Sequence, residues 1–266
     1  MERDKTISDN KSIIVYLVGT FIVTYIFWGL IILANSKGLL LYGSREYFIV
    51  FILGGISPTV FGYIVSKKNG HIKSLFILVK EYFNIKQNIL YYAFLLIFLV
   101  FSFITPAIYG KTYSLLYPWY FIFLFLLKMV FFGGLEEIGW RYTIQPIFER
   151  HFSFIVSSLF VSILWSLWHL PLFFIEGMNK GMNFELFFIS VIGMSFSLGA
   201  IHYVSKSLWL CVLFHALVNA LSQLISVNSD INTVILSTIF RIIFSLFLVY
   251  VVQGKNSKQN INEKNS

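Results

Sequence analysis

The sequence predicts an all-α fold, a polytopic membrane helix bundle of about eight transmembrane helices, and three observations carry that prediction. Hydrophobic residues make up 58% of the chain and charged residues 12%, against roughly 45–50% and 25% in a typical soluble domain. A soluble core of 266 residues has no means of hiding that excess. Eight apolar runs approach the ~20 residues that a crossing requires, and the lysines and arginines are divided unevenly between alternate loops.

Residues 1–12 are polar and mixed in charge, and 13–34 then runs without a formal charge. A secretory signal has a shorter apolar region of roughly 7–15 residues and a small-x-small cleavage site, so 13–34 reads as a first membrane helix. Further apolar runs follow at 47–65, 89–109, 117–133, 153–175, 184–202, 207–227 and 231–252. Pro58 and Pro171 lie inside spans and are expected to kink them, which membrane helices tolerate when neighbours satisfy the freed carbonyl. Tyr117-Pro118-Trp119-Tyr120 opens the fourth helix with a proline at its start and aromatic anchors beside it. The thirty Phe, fifteen Tyr and six Trp suit a lipid-facing surface with interfacial belts.

Counting alternate loops, fourteen Lys and Arg fall on one side and four (Lys37, Arg45, Lys111, Lys180) on the other. The richer side holds both tails and the 66–88 loop, so both termini are expected in the cytoplasm of a multi-pass cell-membrane protein. The net charge of +8 is gathered in that loop and the tail, not in a basic run interleaved with exposed aromatics, so no nucleic-acid partner is expected; anionic lipid heads of the bilayer are. The lone cysteine, Cys211, excludes an internal disulfide and reads as a small packing residue. With no composition break, 1–252 is expected to form a single membrane domain, followed by a disordered cytoplasmic tail at 253–266.

Chemistry-bearing residues concentrate at the foot of the fourth run, in Gly133-Gly134-Leu135-Glu136-Glu137-Ile138-Gly139-Trp140-Arg141. Ionisable groups inside a membrane are functional candidates. Glu137 and Arg141 lie about 40° apart on a helix and can form an ion pair, whereas Glu136 is turned about 100° away from Glu137. One reading has Arg141 holding Glu137 while Glu136 faces a cavity as a general base; the other is a salt bridge at the inner interface with Glu136 solvated. His169 follows in the next helix, either as a second catalytic group or as a histidine bonded to its neighbour. His215 and Asn219 share one face of the seventh helix, where they could coordinate a metal, donate to an oxyanion or only tie helices together. Lys128 and Arg241 also fall within apolar runs, where they snorkel or pair with a carboxylate; no partner for Arg241 is evident in the sequence.

Depth sharpens this set. Counted from the turn near 149–152 at 1.5 Å per residue, Glu136 and His169 lie roughly 21 and 27 Å along antiparallel helices. His215, about nine residues beyond the turn at Lys206, comes out shallower by about 8–13 Å by the same rise, and Asn219 makes up about half of that.

Glu136-Glu137-x-x-x-Arg141, Trp165-x-x-x-His169 and His215-x-x-x-Asn219, in that order on successive membrane helices, resemble the CPBP family, the CAAX-protease and bacteriocin-processing enzymes that include type II CAAX prenyl endopeptidases and bacterial Abi proteins. The motif core covers 117–227. Two departures stand out: the second motif usually begins with Phe and here begins with Trp165, and a glycine commonly follows the arginine where this chain has Tyr142, a residue expected to narrow the cavity or alter the helix turn. The resemblance implies an intramembrane endopeptidase acting on a membrane-associated or leader-bearing peptide. Glu136 and His169 would activate water, Glu137 and Arg141 support the site, and His215 with Asn219 stabilise the oxyanion. It leaves open whether the family chemistry is glutamate-dependent or uses Zn²⁺ held by Glu136, His169 and His215. Two other functions remain in view, a non-catalytic bacteriocin self-immunity or scaffold protein and a transporter carrying protons on Glu136; no pair of interrupted helices in corresponding halves supports the latter.

Overall fold

The computed structural model describes residues 2–178, 183–227 and 229–264, with side chains over 9–178, 183–227 and 229–254. Lys180, one of the four outer cations, and the last two residues of the tail lie outside the described residues. Each of the eight apolar runs contains a helix, and the bundle is all-α apart from one short strand pair. Among the described residues five helical segments are long and apolar enough to cross a membrane: Asp9–Ser36, Arg45–Lys68, Phe154–Phe174, Phe184–Ser205 and Ile231–Gly254. The other three runs form shorter helices, α5 (Ile89–Phe103), α7 (Phe121–Phe132) and α12 (Leu208–Leu224).

The burial pattern inverts that of a soluble protein. On α1 (Glu2–Ser36), Ile14, Val18, Ile22, Ile26, Leu30 and Leu33 form one stripe that is 50–60% exposed. Thr20 and Thr24 on the opposite face are fully buried. α13 (Ile231–Lys264) repeats this, with Ile235, Ile239, Ile243 and Phe247 outward and Thr233, Ser237, Thr238, Arg241 and Ser245 inward. Apolar side chains meet lipid, which costs nothing, and hydroxyls turn inward where carbonyls can accept from them. Thr24 donates to the Gly54 carbonyl at 2.7 Å and Ser237 to the Phe101 carbonyl at 2.9 Å.

Pro58 and Pro171, the two prolines expected to kink spans, sit where helices break. The second span divides at Ile56 into α2 (Arg45–Gly55) and α3 (Ser57–Lys68), with Pro58 in the first turn of α3. α10 (Phe154–His169) tightens into a 3₁₀ turn over Leu170–Phe174 that contains Pro171. The third run also divides, at Ile104, before the four-residue α6 (Thr105–Ile108) with Pro106 at its start. The fourth helix begins at Phe121, after a turn in which Phe121 N–H donates to the Pro118 carbonyl. Each proline lacks an N–H and presses on the preceding turn, so the interruptions follow from the sequence.

Other features depart from the sequence expectation. The lysine-rich 66–88 loop carries α4 (Leu75–Tyr82), capped by Ser74. Its Leu75, Phe76 and Val79 are exposed, while Leu78 and Tyr82 are buried and the Tyr82 hydroxyl donates to the Val130 carbonyl. This is the pattern of a helix lying along the membrane surface. β1 (Tyr113–Leu115) pairs antiparallel with β2 (Ile225–Val227). Beside that pair Lys111 bridges Asp230 at 3.0 Å, and the Thr233 amide, followed by Lys111, holds the Asp230 carboxyl below the usual carboxylate range. α13 runs from Ile231 to Lys264.

The site segment is held against α3 by two glycines. A Cβ on Gly62 would stand 2.8 Å from Gly139 Cα, so the backbones approach as small-residue contacts between membrane helices do. Thr143 locks this approach, donating to the Ile138 carbonyl at 2.7 Å and lying 2.8 Å from the Ser66 hydroxyl. Gly62→Val is expected to lower stability by about 1–3 kcal/mol, the usual cost of overpacking, read as a drop in the thermal unfolding midpoint of detergent-solubilised protein.

Candidate active site

The local backbone around the paired glutamates is not a uniform α-helix. After α7 ends, Gly134–Glu136 form a 3₁₀ turn, α8 (Glu137–Gly139) one α-turn, Trp140–Ile144 a π-helical stretch, and α9 (Gln145–Glu149) resumes the α form. Pro146 explains part of this, since it cannot donate to the turn before it, and π-turns are frequent at functional sites. Gly133 and Gly134 admit close neighbours. A Cβ on Gly133 would stand 2.8 Å from Asn219 Nδ2 and 3.1 Å from His215 Nε2.

This geometry sends the two carboxylates to different partners, as the helical angles suggest. Glu137 and Arg141 are fully buried and joined at 3.2 Å from Arg141 Nε to Glu137 Oε2. Arg141 Nη1 also donates to Gln145 Oε1 at 3.0 Å and to Ser195 Oγ at 3.1 Å, and its guanidinium carbon lies 4.9 Å from the Trp165 ring centre. Glu137 Oε1 lies 2.6 Å from His215 Nδ1, so this carboxylate joins Arg141 on its own segment to α12.

Glu136 takes a different set of neighbours. The Trp165 indole N–H donates to its Oε2 at 2.8 Å, and His169 Nε2 lies 4.0 Å from the same oxygen. His169 Nδ1 donates to the Trp165 carbonyl at 2.9 Å, which leaves Nε2 of the neutral ring free to accept. Glu136, Trp165, His169, His215 and Asn219 together line a cavity of about 350 Å³, walled further by α11 (Phe184–Ser205) and by Arg241 of α13.

The structure thus brings Glu136, Glu137, Arg141, His169, His215 and Asn219 into one cluster. The depth count placed His215 too shallow: its ring is 5.3 Å from that of Trp165. The count took His215 from the turn at Lys206 and Glu136 from the turn near 149–152 as if the two turns were level, and nothing in the spacing requires that they are, since α12 itself is an unbroken α-helix from Leu208 to Leu224. Tyr142 does not narrow this cavity. It lines a second one, of about 240 Å³, with Arg150, His202 and Lys206.

Some contributors were not singled out from the sequence. Ser195 and Gln145, which take up Arg141 donors, carry no charge and sit in runs that read only as helix. Trp165 was noted for its departure from Phe, but its indole N–H as a donor to Glu136 could not be read from spacing. A catalytic zinc site needs three converging protein donors, and among the described residues no three His, Cys, Asp or Glu groups come together to hold a metal. His215 directs Nδ1 at Glu137, and Glu136 with His169 offers only two donors, so this donor set does not fit a catalytic zinc.

Comparison with known proteins meets this geometry from another direction. Residues 118–221 match the family model described as type II CAAX prenyl endopeptidase Rce1-like, a stretch that holds every candidate residue from Glu136 to Asn219. The chain is also similar to CAAX prenyl protease 2 of Methanococcus maripaludis, 26% identical over 261 residues that cover 88% of this chain and 92% of that protein. The resemblance carried by the three motifs therefore extends over most of the chain.

Proposed function

We propose that this multi-pass membrane protein is an intramembrane endopeptidase of the CAAX prenyl protease type, acting on a lipidated or leader-bearing peptide. The observation that carries the reading is the Glu136–His169 pair, two acceptors 4.0 Å apart at the wall of a cavity inside an apolar bundle. A water can bridge groups at that separation. It donates one proton toward Glu136 and the other toward His169 Nε2, which leaves a lone pair for a peptide carbonyl.

Attack transfers a proton from water to Glu136 as the C–O bond forms, and the carbonyl oxygen becomes an oxyanion. Asn219 Nδ2 and His215 Nε2, side by side next to Gly133, are the donors proposed for it. His215 spends its Nδ1–H on Glu137, so donation from Nε2 requires the imidazolium, whose charge the buried Glu137 carboxylate balances. Collapse of the intermediate breaks the C–N bond, and Glu136 returns its proton to the leaving amine. The acting unit is the membrane domain 1–252 with both termini in the cytoplasm, a topology supported by the Lys and Arg distribution.

Trp165 positions the base through its 2.8 Å hydrogen bond. Trp165→Phe keeps an aromatic ring and removes a donor to a charged group, an interaction worth about 1.5–3 kcal/mol. A fall of about tenfold to a hundredfold in kcat with little change in KM is expected from steady-state kinetics.

The reading is tested with purified protein in lipid nanodiscs, given a farnesylated CAAX peptide and, separately, a peptide with an N-terminal leader, with products mapped by mass spectrometry. A defined internal cut in either supports it and identifies the substrate class. Absence of turnover with both, in protein that unfolds cooperatively on heating, would remove it.

A further inference from the structure

Among the described residues of α13, one buried polar group, the Arg241 guanidinium, is left incompletely satisfied by the fold. On its inward face Thr238 donates to the Ile189 carbonyl at 3.0 Å and Ser245 to the Arg241 carbonyl at 2.7 Å. Arg241, only 5% exposed, is different. Its Nη2 makes one long contact of 3.4 Å to the Ser190 carbonyl, its buried Nε has no partner, and among the described residues no carboxylate lies within ion-pair distance. A guanidinium presents five N–H donors and a charge that does not leave it. A cation in this position is costly, and within membranes such groups pair or line functional cavities.

Two further observations place the missing partner. Arg241 lines the same 350 Å³ cavity as Glu136, His169, His215 and Asn219. A Cβ on Gly193 would stand 2.7–2.8 Å from three guanidinium atoms, so a glycine on α11 leaves the space that the guanidinium occupies. The cavity is therefore shaped around a cation that has no carboxylate at ion-pair distance among the described residues.

We propose that Arg241 binds the C-terminal carboxylate of the peptide substrate, so that the site recognises a chain end as well as a scissile bond. The proposal rests on the endopeptidase reading and adds to it. Arginine forms paired, parallel hydrogen bonds with a carboxylate. Because the guanidinium and the water-activating pair share one cavity, the bond cut lies within a few residues of that end, at about 3.3–3.6 Å per extended residue. A phospholipid phosphate would offer similar chemistry but sits at the wrong depth. Arg241 is ten residues into the span that starts at Ile231, about 15 Å at 1.5 Å per residue, near the middle of a hydrocarbon core about 30 Å thick.

The test uses the full chain in nanodiscs with a farnesylated CAAX peptide as the free acid and as the C-terminal amide. The native protein is expected to favour the acid by about tenfold to a hundredfold in kcat/KM, the range of one charge-assisted pair. Arg241→Gln should bring the acid down to the amide's rate and leave the amide within about threefold, and Arg241→Lys should retain part of the preference, as a point charge without the fork. A native protein indifferent to the amide, or an Arg241→Gln variant that keeps the full preference, overturns the proposal. Binding separates this from the endopeptidase reading. Fluorescence anisotropy of the labelled peptides on a Glu136→Gln background needs no turnover, and a preference for the acid that disappears in Glu136→Gln/Arg241→Gln supports Arg241 even if no cleavage occurs. Equal binding of acid and amide, with anionic phospholipid displacing both, assigns Arg241 to a lipid and overturns the proposal.

Discussion

Glu136→Gln is expected to lower peptide hydrolysis by about 10²–10⁴-fold, the range associated with a positioned general base, while the protein still unfolds at its native temperature. The choice of glutamine matters. Its carbonyl oxygen can still accept from the Trp165 indole, which now meets Glu136 Oε2 at 2.8 Å, so the side chain keeps its place and loses only the capacity to take a proton from water. His169→Ala is expected to have a comparable effect through the other side of the same gap. The measurement is single-turnover cleavage in nanodiscs beside thermal unfolding of each variant. Rates within a few-fold of native for both would show that the pair does not activate water.

Glu137→Ala is expected to have the larger effect on stability. This carboxylate is fully buried between Arg141 at 3.2 Å and His215 at 2.6 Å. Its removal leaves the Arg141 charge in the bundle interior with only the neutral oxygens of Gln145 and Ser195. Breaking one side of such a pair costs about 3–5 kcal/mol, read as a lower unfolding midpoint. Activity is expected to fall as well, because His215 loses the group that orients it. Glu137→Ala/Arg141→Ala should lose less stability than the sum of the single variants, since the second substitution removes the charge stranded by the first. Additive losses would mean that the two side chains act independently.

These two outcomes separate the neighbouring glutamates. The separation was already legible in their spacing. Adjacent helical residues point about 100° apart and residues four apart share a face, so Glu137 goes to Arg141 and Glu136 goes elsewhere. The 3₁₀ and π turns around them do not undo that. Spacing likewise placed His215 beside Asn219, and the shared inner turn brought Glu136 and His169 to similar depth. It failed for His215, whose depth was counted from a different turn, that at Lys206, and the relative level of two turns is not fixed by spacing along either helix.

What the sequence determined by itself was the membrane bundle, the approximate spans, the sites of the proline breaks and the residues able to do chemistry. Each follows from composition or from angles about a single helix axis. The tertiary structure alone decided which helices face one another: Trp165 against Glu136, His215 against Glu137, Gly62 against Gly139, and Arg241 in the cavity with no ion-pair partner among the described residues. The physical reason is that lipid is as apolar as the side chains it meets, so hydrophobicity does not select which helix face turns inward or sets its depth. That choice rests on close backbone contact and on the partners that buried polar groups find, and these exist only once the helices are together.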